Sequence, residues 1–128
     1  MVLPEADNKK VLVIEDNVDT LTVIELILSA AGYRVKSFSN WKLGYNEIEI
    51  YKPDLLLLDV QLGTADGRNL AKTLKNKADT CHIPIILFSS NHSVVDNLIE
   101  CQADDFIAKP IKVEDLITVV TIQLSKKA

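Results

Sequence analysis

Asp54-Leu55-Leu56-Leu57-Leu58-Asp59-Val60-Gln61-Leu62-Gly63-Thr64-Ala65-Asp66-Gly67 is the stretch that decides the fold. Four consecutive leucines cannot alternate between core and solvent, so they read as a strand covered on both faces, as in a parallel sheet. The run closes on Asp59, where a polar loop opens. In open parallel sheets ligands gather beyond the carboxyl ends of the strands, so Asp59 is the residue that calls for a chemical explanation.

Two further runs end in the same way. Val11-Leu12-Val13-Ile14 leads into Glu15-Asp16, and Ile83-Pro84-Ile85-Ile86-Leu87-Phe88 leads into Ser89-Ser90. A weaker strand, Asp105-Phe106-Ile107-Ala108, delivers Lys109 and is stopped by Pro110. One rim of one sheet would then carry three carboxylates, a hydroxyl and an ammonium. Singly, each has a plain reading: Glu15-Asp16 as a solvated strand end, Asp59 as an acid ahead of a helix, Ser89 or Ser90 as a turn former, Lys109 as a surface lysine.

Between the strands the apolar period becomes helical. After Asn17, a candidate N-cap, Leu21, Ile24, Leu28 and Ala31 form a stripe that Gly32 ends. Tyr33 to Phe38 alternates and reads as a strand with one exposed face. Trp41, Tyr45 and Ile48 mark a second helix, weakened by Gly44 unless close packing requires it, and Pro53 ends that region. Leu70 and Leu74 suggest a third helix from about Asp66 to Lys77, with Asp66 as its cap and Gly67 allowing a tight approach. Val94, Leu98 and Cys101 suggest a fourth, and Val113, Leu116, Ile117, Val120 and Leu124 a fifth. Five alternations of strand and helix with short links imply a parallel sheet between helices, joined by right-handed crossovers.

At 128 residues the chain reads as one domain: a flexible lead-in over residues 1–9 and a globular body over 10–128. A net charge of −4 and a pI near 5.1 argue against a nucleic-acid backbone as partner. Cys81 and Cys101 have neither metal-ligand spacing nor the density of a disulfide scaffold, which fits a reducing cytoplasm. No apolar run approaches the roughly 20 residues that cross a bilayer, and Met1 to Lys10 has no signal-peptide core. His82 and His92 read as bystanders, since no second ligand pair accompanies them.

Taken together, Glu15-Asp16-Asn17, Asp59 followed by Asp66-Gly67, Ser89 after an apolar strand, and Lys109-Pro110 after Asp104-Asp105-Phe106 resemble the receiver domain of two-component response regulators. The resemblance runs from Lys10 to the last helix. It implies the flavodoxin-like α/β fold, a five-stranded parallel sheet of order 2-1-3-4-5 flanked by five helices. It implies Asp59 as phosphoacceptor, Ser89 rather than Ser90 as the active hydroxyl, and Ser89 with Phe106 as a switch pair. It also implies the main-chain carbonyl of Gln61 as a metal ligand, and the side chains of Gln61 and Asn91 as tuners of acyl phosphate hydrolysis. The implied donor is a phosphohistidine on a sensor histidine kinase or a histidine phosphotransfer protein.

The residues support this chemistry on their own. Two carboxylates about 4 Å apart repel by roughly 4 kcal/mol at an effective dielectric near 20, so three cannot stay ionised without a cation. Glu15, Asp16 and Asp59 offer the oxygen ligands that Mg²⁺ prefers. Mg²⁺ and Lys109 together would neutralise the three acids. Asp59 is then an oxygen nucleophile, and phosphoryl transfer asks mainly for positioning and charge neutralisation, which Mg²⁺, Lys109 and the Ser89 hydroxyl would supply.

Three positions depart from the receiver pattern: Gly63 stands where proline is usual, Gln102 where glycine is usual, and Ile111 where phenylalanine is frequent. A Mg²⁺-dependent phosphatase of the haloacid dehalogenase type would place a second acid two residues after Asp59, where Gln61 stands. A degenerate receiver serving only as a binding module would lack a reacting residue, and a flavodoxin would carry a hydroxyl- and glycine-rich phosphate loop after the first strand. The expected protein is a signalling phosphoacceptor rather than an enzyme on other substrates. No output domain fits in this length, so the chain reads as a single-domain regulator or a piece of a longer protein. Its output would travel through the face of helix four, strand five and helix five, where Val119 and Ile122 lie about 100° and 180° from the core stripe. That face would take an effector or a second copy of the chain.

Overall fold

The computed structural model describes residues 9–90 and 98–126; Met1 to Asn8 of the expected lead-in, and Asn91, His92 and Val94, lie outside them. The chain alternates β1 (Lys10–Ile14), α1 (Val18–Ala30), β2 (Arg34–Phe38), α2 (Trp41–Tyr51) and β3 (Leu55–Asp59). A small hairpin, β4 (Gln61–Leu62) and β5 (Ala65–Asp66), follows, then α3 (Gly67–Lys75), β6 (Ile85–Ser89), α4 (Leu98–Cys101), β7 (Asp105–Ala108) and α5 (Val113–Ser125). The five long strands form one parallel sheet in the order β2-β1-β3-β6-β7, the expected 2-1-3-4-5 once the hairpin is set aside.

The leucine run explains the layering. Leu55 and Leu57 pack with Val11, Ile24, Leu28, Leu116 and Val120 on the α1/α5 side. Leu56 and Leu58 pack with Ile14, Ile48, Ala71 and Leu74 on the α2/α3 side. All four are fully buried, so β3 alternates between two cores rather than between core and solvent. At roughly 25 cal/mol per Å² of apolar surface, each buried leucine stabilises the fold by about 2 kcal/mol. Gly44 faces the sheet where a Cβ would meet Ile14 Cγ1 and Cδ1 at 2.8 Å, so close packing of α2 on β1 accounts for a glycine inside this helix.

Several expectations need correction. The five flanking helices are present in part: α1, α2, α3 and α5 each run nine residues or more, but the described α4 is a four-residue piece. It stops before Gln102, whose φ of 65° lies in the left-handed region that favours glycine. The fourth long strand starts at Ile85 rather than Ile83, because Pro84 has no N–H to give the ladder. Helix α3 ends at Lys75 rather than Lys77, where the Asn76 side chain turns back to the Lys72 carbonyl at 2.7 Å. Val113, placed in the core stripe, is 54% exposed because it opens the first turn of α5.

Candidate functional site

Strand register assembles the site. Ile14 pairs with Leu58, so Glu15 emerges beside Asp59. Asp59 pairs with Phe88 and Ser89 with Ala108, so Ser89 and Lys109 follow on the same rim. The Lys109 N–H donates to the Ser89 carbonyl at 3.0 Å, and the Val60 N–H to the Phe88 carbonyl at 3.0 Å, extending the ladder to the residues that carry the chemistry.

Glu15 and Asp59 are almost wholly buried, at 0% and 2% exposure. The Lys109 ammonium lies 2.7 Å from Glu15 Oε1 and 3.0 Å from Asp59 Oδ2. Main-chain N–H groups hold the other oxygens: Asn17 donates to Glu15 Oε2 at 3.1 Å and Gln61 to Asp59 Oδ1 at 3.1 Å. Burial, and then the neighbouring Asp59 carboxylate, push the Glu15 carboxyl up to about 7 against the opposing pull of Lys109. Burial works against the charged Lys109 ammonium, yet its contacts with Glu15 and Asp59 outweigh it and hold its pKa above the ordinary lysine value.

Asp16 is exposed at the mouth of this arrangement, and one carboxylate oxygen from each of Glu15, Asp16 and Asp59 lies within 4.8 Å of the others. Glu15 Oε1 is buried without a directed hydrogen bond, although the ammonium stands close by. An all-oxygen donor set with one such oxygen suits a hard divalent cation of the Mg²⁺ kind. Gln61 contacts Asp59 through its N–H, and the residue is exposed.

Ser89 closes β6 at 1% exposure, and Phe106 is half-buried against the α2/α3-side core. On the expected partner face Ile122 is 45% exposed. Val119 is not on the surface in the same way: it is partly buried against the α1/α5-side core, because the inward face of α5 extends past the stripe to the buried Gln123. Sequence reasoning also passed over Arg68, which forks onto Asp66 through Nε and Nη2, the shortest contact being 2.6 Å. The available signal was an arginine two residues after a helix-capping aspartate.

Residues 11–121 match the response regulator receiver domain family. The chain belongs to that family. The receiver is similar to the alkaline phosphatase synthesis transcriptional regulatory protein PhoP of Bacillus subtilis, with 32% identity over 105 residues, 80% of this chain and 43% of that protein. Among solved structures it is similar to a putative response regulator from Chloroflexus aurantiacus, at 27% identity and TM-score 0.87 over 93% of this chain and 99% of that one. It also resembles the receiver domain of a sensor histidine kinase from Pseudomonas aeruginosa, whose structure has a magnesium ion coordinated in its active site cleft (26% identity, TM-score 0.83, covering 92% and 98%). The receiver spans less than half the length of the curated relatives it matches. Among the described residues no helix is long and apolar enough to cross a membrane.

Proposed function

We propose that this receiver takes a phosphoryl group from a phosphohistidine onto Asp59 and passes the change to a partner through its α4/β7/α5 face. The observation that carries the reading is a nearly buried carboxylate, Asp59, in contact with Lys109 at 3.0 Å and beside Glu15 and Asp16. An oxygen of Asp59 forms the new O–P bond as the P–N bond to the imidazole breaks, its electron pair leaving on nitrogen. The Lys109 ammonium neutralises charge on the transferred oxygens, and the Ser89 hydroxyl donates to one of them. Glu15, Asp16, Asp59 and the main-chain carbonyl of Gln61 would hold Mg²⁺, which when bound supplies Lewis-acid neutralisation of phosphoryl charge.

The donor would be a sensor histidine kinase or a histidine phosphotransfer protein in the cytoplasm, and the receiver would catalyse only its own phosphorylation and dephosphorylation. A phosphatase reading is disfavoured because Gln61 stands where the second acid of such enzymes belongs. A purely degenerate module is disfavoured because Glu15, Asp16, Asp59, Ser89 and Lys109 are all present.

With Mg²⁺ and acetyl phosphate, intact mass is expected to show one added phosphoryl group that hydroxylamine removes and EDTA prevents. Asp59→Asn is expected to stay unmodified. Equal modification of that variant would overturn the assignment.

A further inference from the structure

We propose that Arg68 is a phosphoryl-binding residue of this receiver, whose guanidinium leaves Asp66 for the acyl phosphate once Asp59 is modified. The inference rests on the phosphoacceptor reading and extends it to a residue outside the acidic cluster. A cavity of about 250 Å³ opens beside the loop that follows Asp59, lined by Gln61, Gly63, Asp66, Arg68 and Ser89 among others. Among the described residues that line it, Arg68 is the one cation and Asp66 the one anion. Ser89, which would donate to the phosphoryl group, thus shares an open space with an arginine.

Backbone geometry roots Arg68 close to the acceptor. At Gly67 a Cβ would fall 2.1 Å from the Asp59 carbonyl oxygen, and the Gly67 N–H donates to the Val60 carbonyl at 2.8 Å. The next Cα along the chain is about 3.8 Å further on, well within the span of an arginine side chain. The Asp66 carboxylate that the guanidinium forks onto is itself open to solvent. Arg68 and Asp66 side chains are 35% and 32% exposed, so solvent screens the pair and a doubly charged phosphoryl group competes with a single carboxylate for the fork. Asp66 also caps α3 by accepting from the Arg68 N–H at 2.9 Å, a bond that does not depend on the guanidinium.

Phosphorylation replaces one negative charge at Asp59 by about two and presents phosphoryl oxygens, which a guanidinium fork matches in bidentate fashion. The same charge repels Asp66. Arg68 also lines a groove of about 270 Å³ with Lys72, Glu100 and Cys101, so its displacement would be felt between α3 and α4.

The test is the affinity for beryllofluoride with Mg²⁺, followed by fluorine NMR on the whole chain, with thermal unfolding as a check of the fold. Arg68→Met is expected to weaken binding about five-fold, the loss of one partly solvated charged contact. Asp66→Asn keeps a capping side chain and removes the charge that holds the guanidinium at Asp66, so it is expected to tighten binding several-fold. A brace that merely holds the start of α3 would make both variants bind worse. Wild-type affinity in Arg68→Met, or weakening in Asp66→Asn, overturns the role of Arg68 while leaving the phosphoacceptor reading standing. Failure of the wild type itself to bind beryllofluoride overturns both.

Discussion

The Lys109 ammonium stands 3.0 Å from Asp59 Oδ2, and the same nitrogen stands 2.7 Å from Glu15 Oε1. One cation therefore serves two buried carboxylates. Removing it leaves two buried carboxylates with one main-chain N–H donor each and, among the described residues, no cation in contact, and breaking a buried pair in this way costs roughly 3–5 kcal/mol. Lys109→Met is therefore expected to lower stability at pH 8 in EDTA by that order, as read by urea unfolding. It is also expected to slow phosphorylation by acetyl phosphate about 100-fold, in line with loss of one preorganised charge donor. A variant that reacts at the wild-type rate would remove Lys109 from the chemistry.

Glu15 sets the pH response. Its carboxyl is raised from 4.5 to about 7, so between those values the folded chain holds a proton that the unfolded chain has lost. Stability without divalent cation is then greatest below pH 4.5 as far as this group is concerned; it declines as pH rises through about 7 and levels off above that. The loss is on the order of 3 kcal/mol at most. The upward shift of Lys109 acts only above its ordinary value of 10.5 and leaves this window untouched. Mg²⁺ competes with the same proton, so it is expected to raise the melting temperature strongly at pH 8 and little at pH 5. Glu15→Gln is expected to flatten the metal-free slope, which melting curves across pH would show.

The loop after Asp59 contains two glycines with different duties. A methyl at Gly67 would meet the Asp59 carbonyl oxygen at 2.1 Å, backbone that cannot yield without moving the acceptor. A methyl at Gly63 meets nothing within 4 Å, and the cost there is only the positive φ of 73°. Gly63→Ala is expected to cost about 1–2 kcal/mol and retain phosphorylation. Gly67→Ala is expected to cost more than that and abolish phosphorylation even where the protein folds. Denaturant titration and intact mass separate the two; equal effects would contradict this division.

The fold was legible where local pattern and tertiary need coincide. Leu55 to Leu58 requires cover on both faces, and a parallel sheet provides it, so Asp59 had to emerge at a rim. Glu15, Ser89 and Lys109 follow because strand register is all that is needed to bring them there. The hairpin of β4 and β5 escaped because two-residue strands carry no period, though Gly63 at the first position of its two-residue turn was a usable sign. Val119 and Gln123 were beyond a helical wheel. The inward face of α5 is centred by what it packs on, and Gln123 is buried because Asp105 Oδ2 accepts from its Nε2 at 3.1 Å. Arg68 escaped because an arginine two residues after a capping aspartate signals the ion pair but not the cavity that both residues line.

The proposed output face includes the outward side of α5. With Val119 partly buried against the core, Ile122 is the member of the expected pair that stays on the surface, at 45% exposure. Ser89 ends β6 and Lys109 follows β7, so contraction around a phosphoryl group pulls on the strand ends next to α4 and α5. A two-state face of this kind responds only as far as its partner binds one state better. If the partner is a second copy, beryllofluoride with Mg²⁺ is expected to raise the sedimentation mass of the wild type towards a dimer. Ile122→Glu would place a charge at the contact and is expected to stay monomeric under the same conditions, with unchanged occupancy of Asp59 by fluorine NMR. A wild type that stays monomeric at full occupancy excludes self-association through Ile122 and assigns the face to an effector.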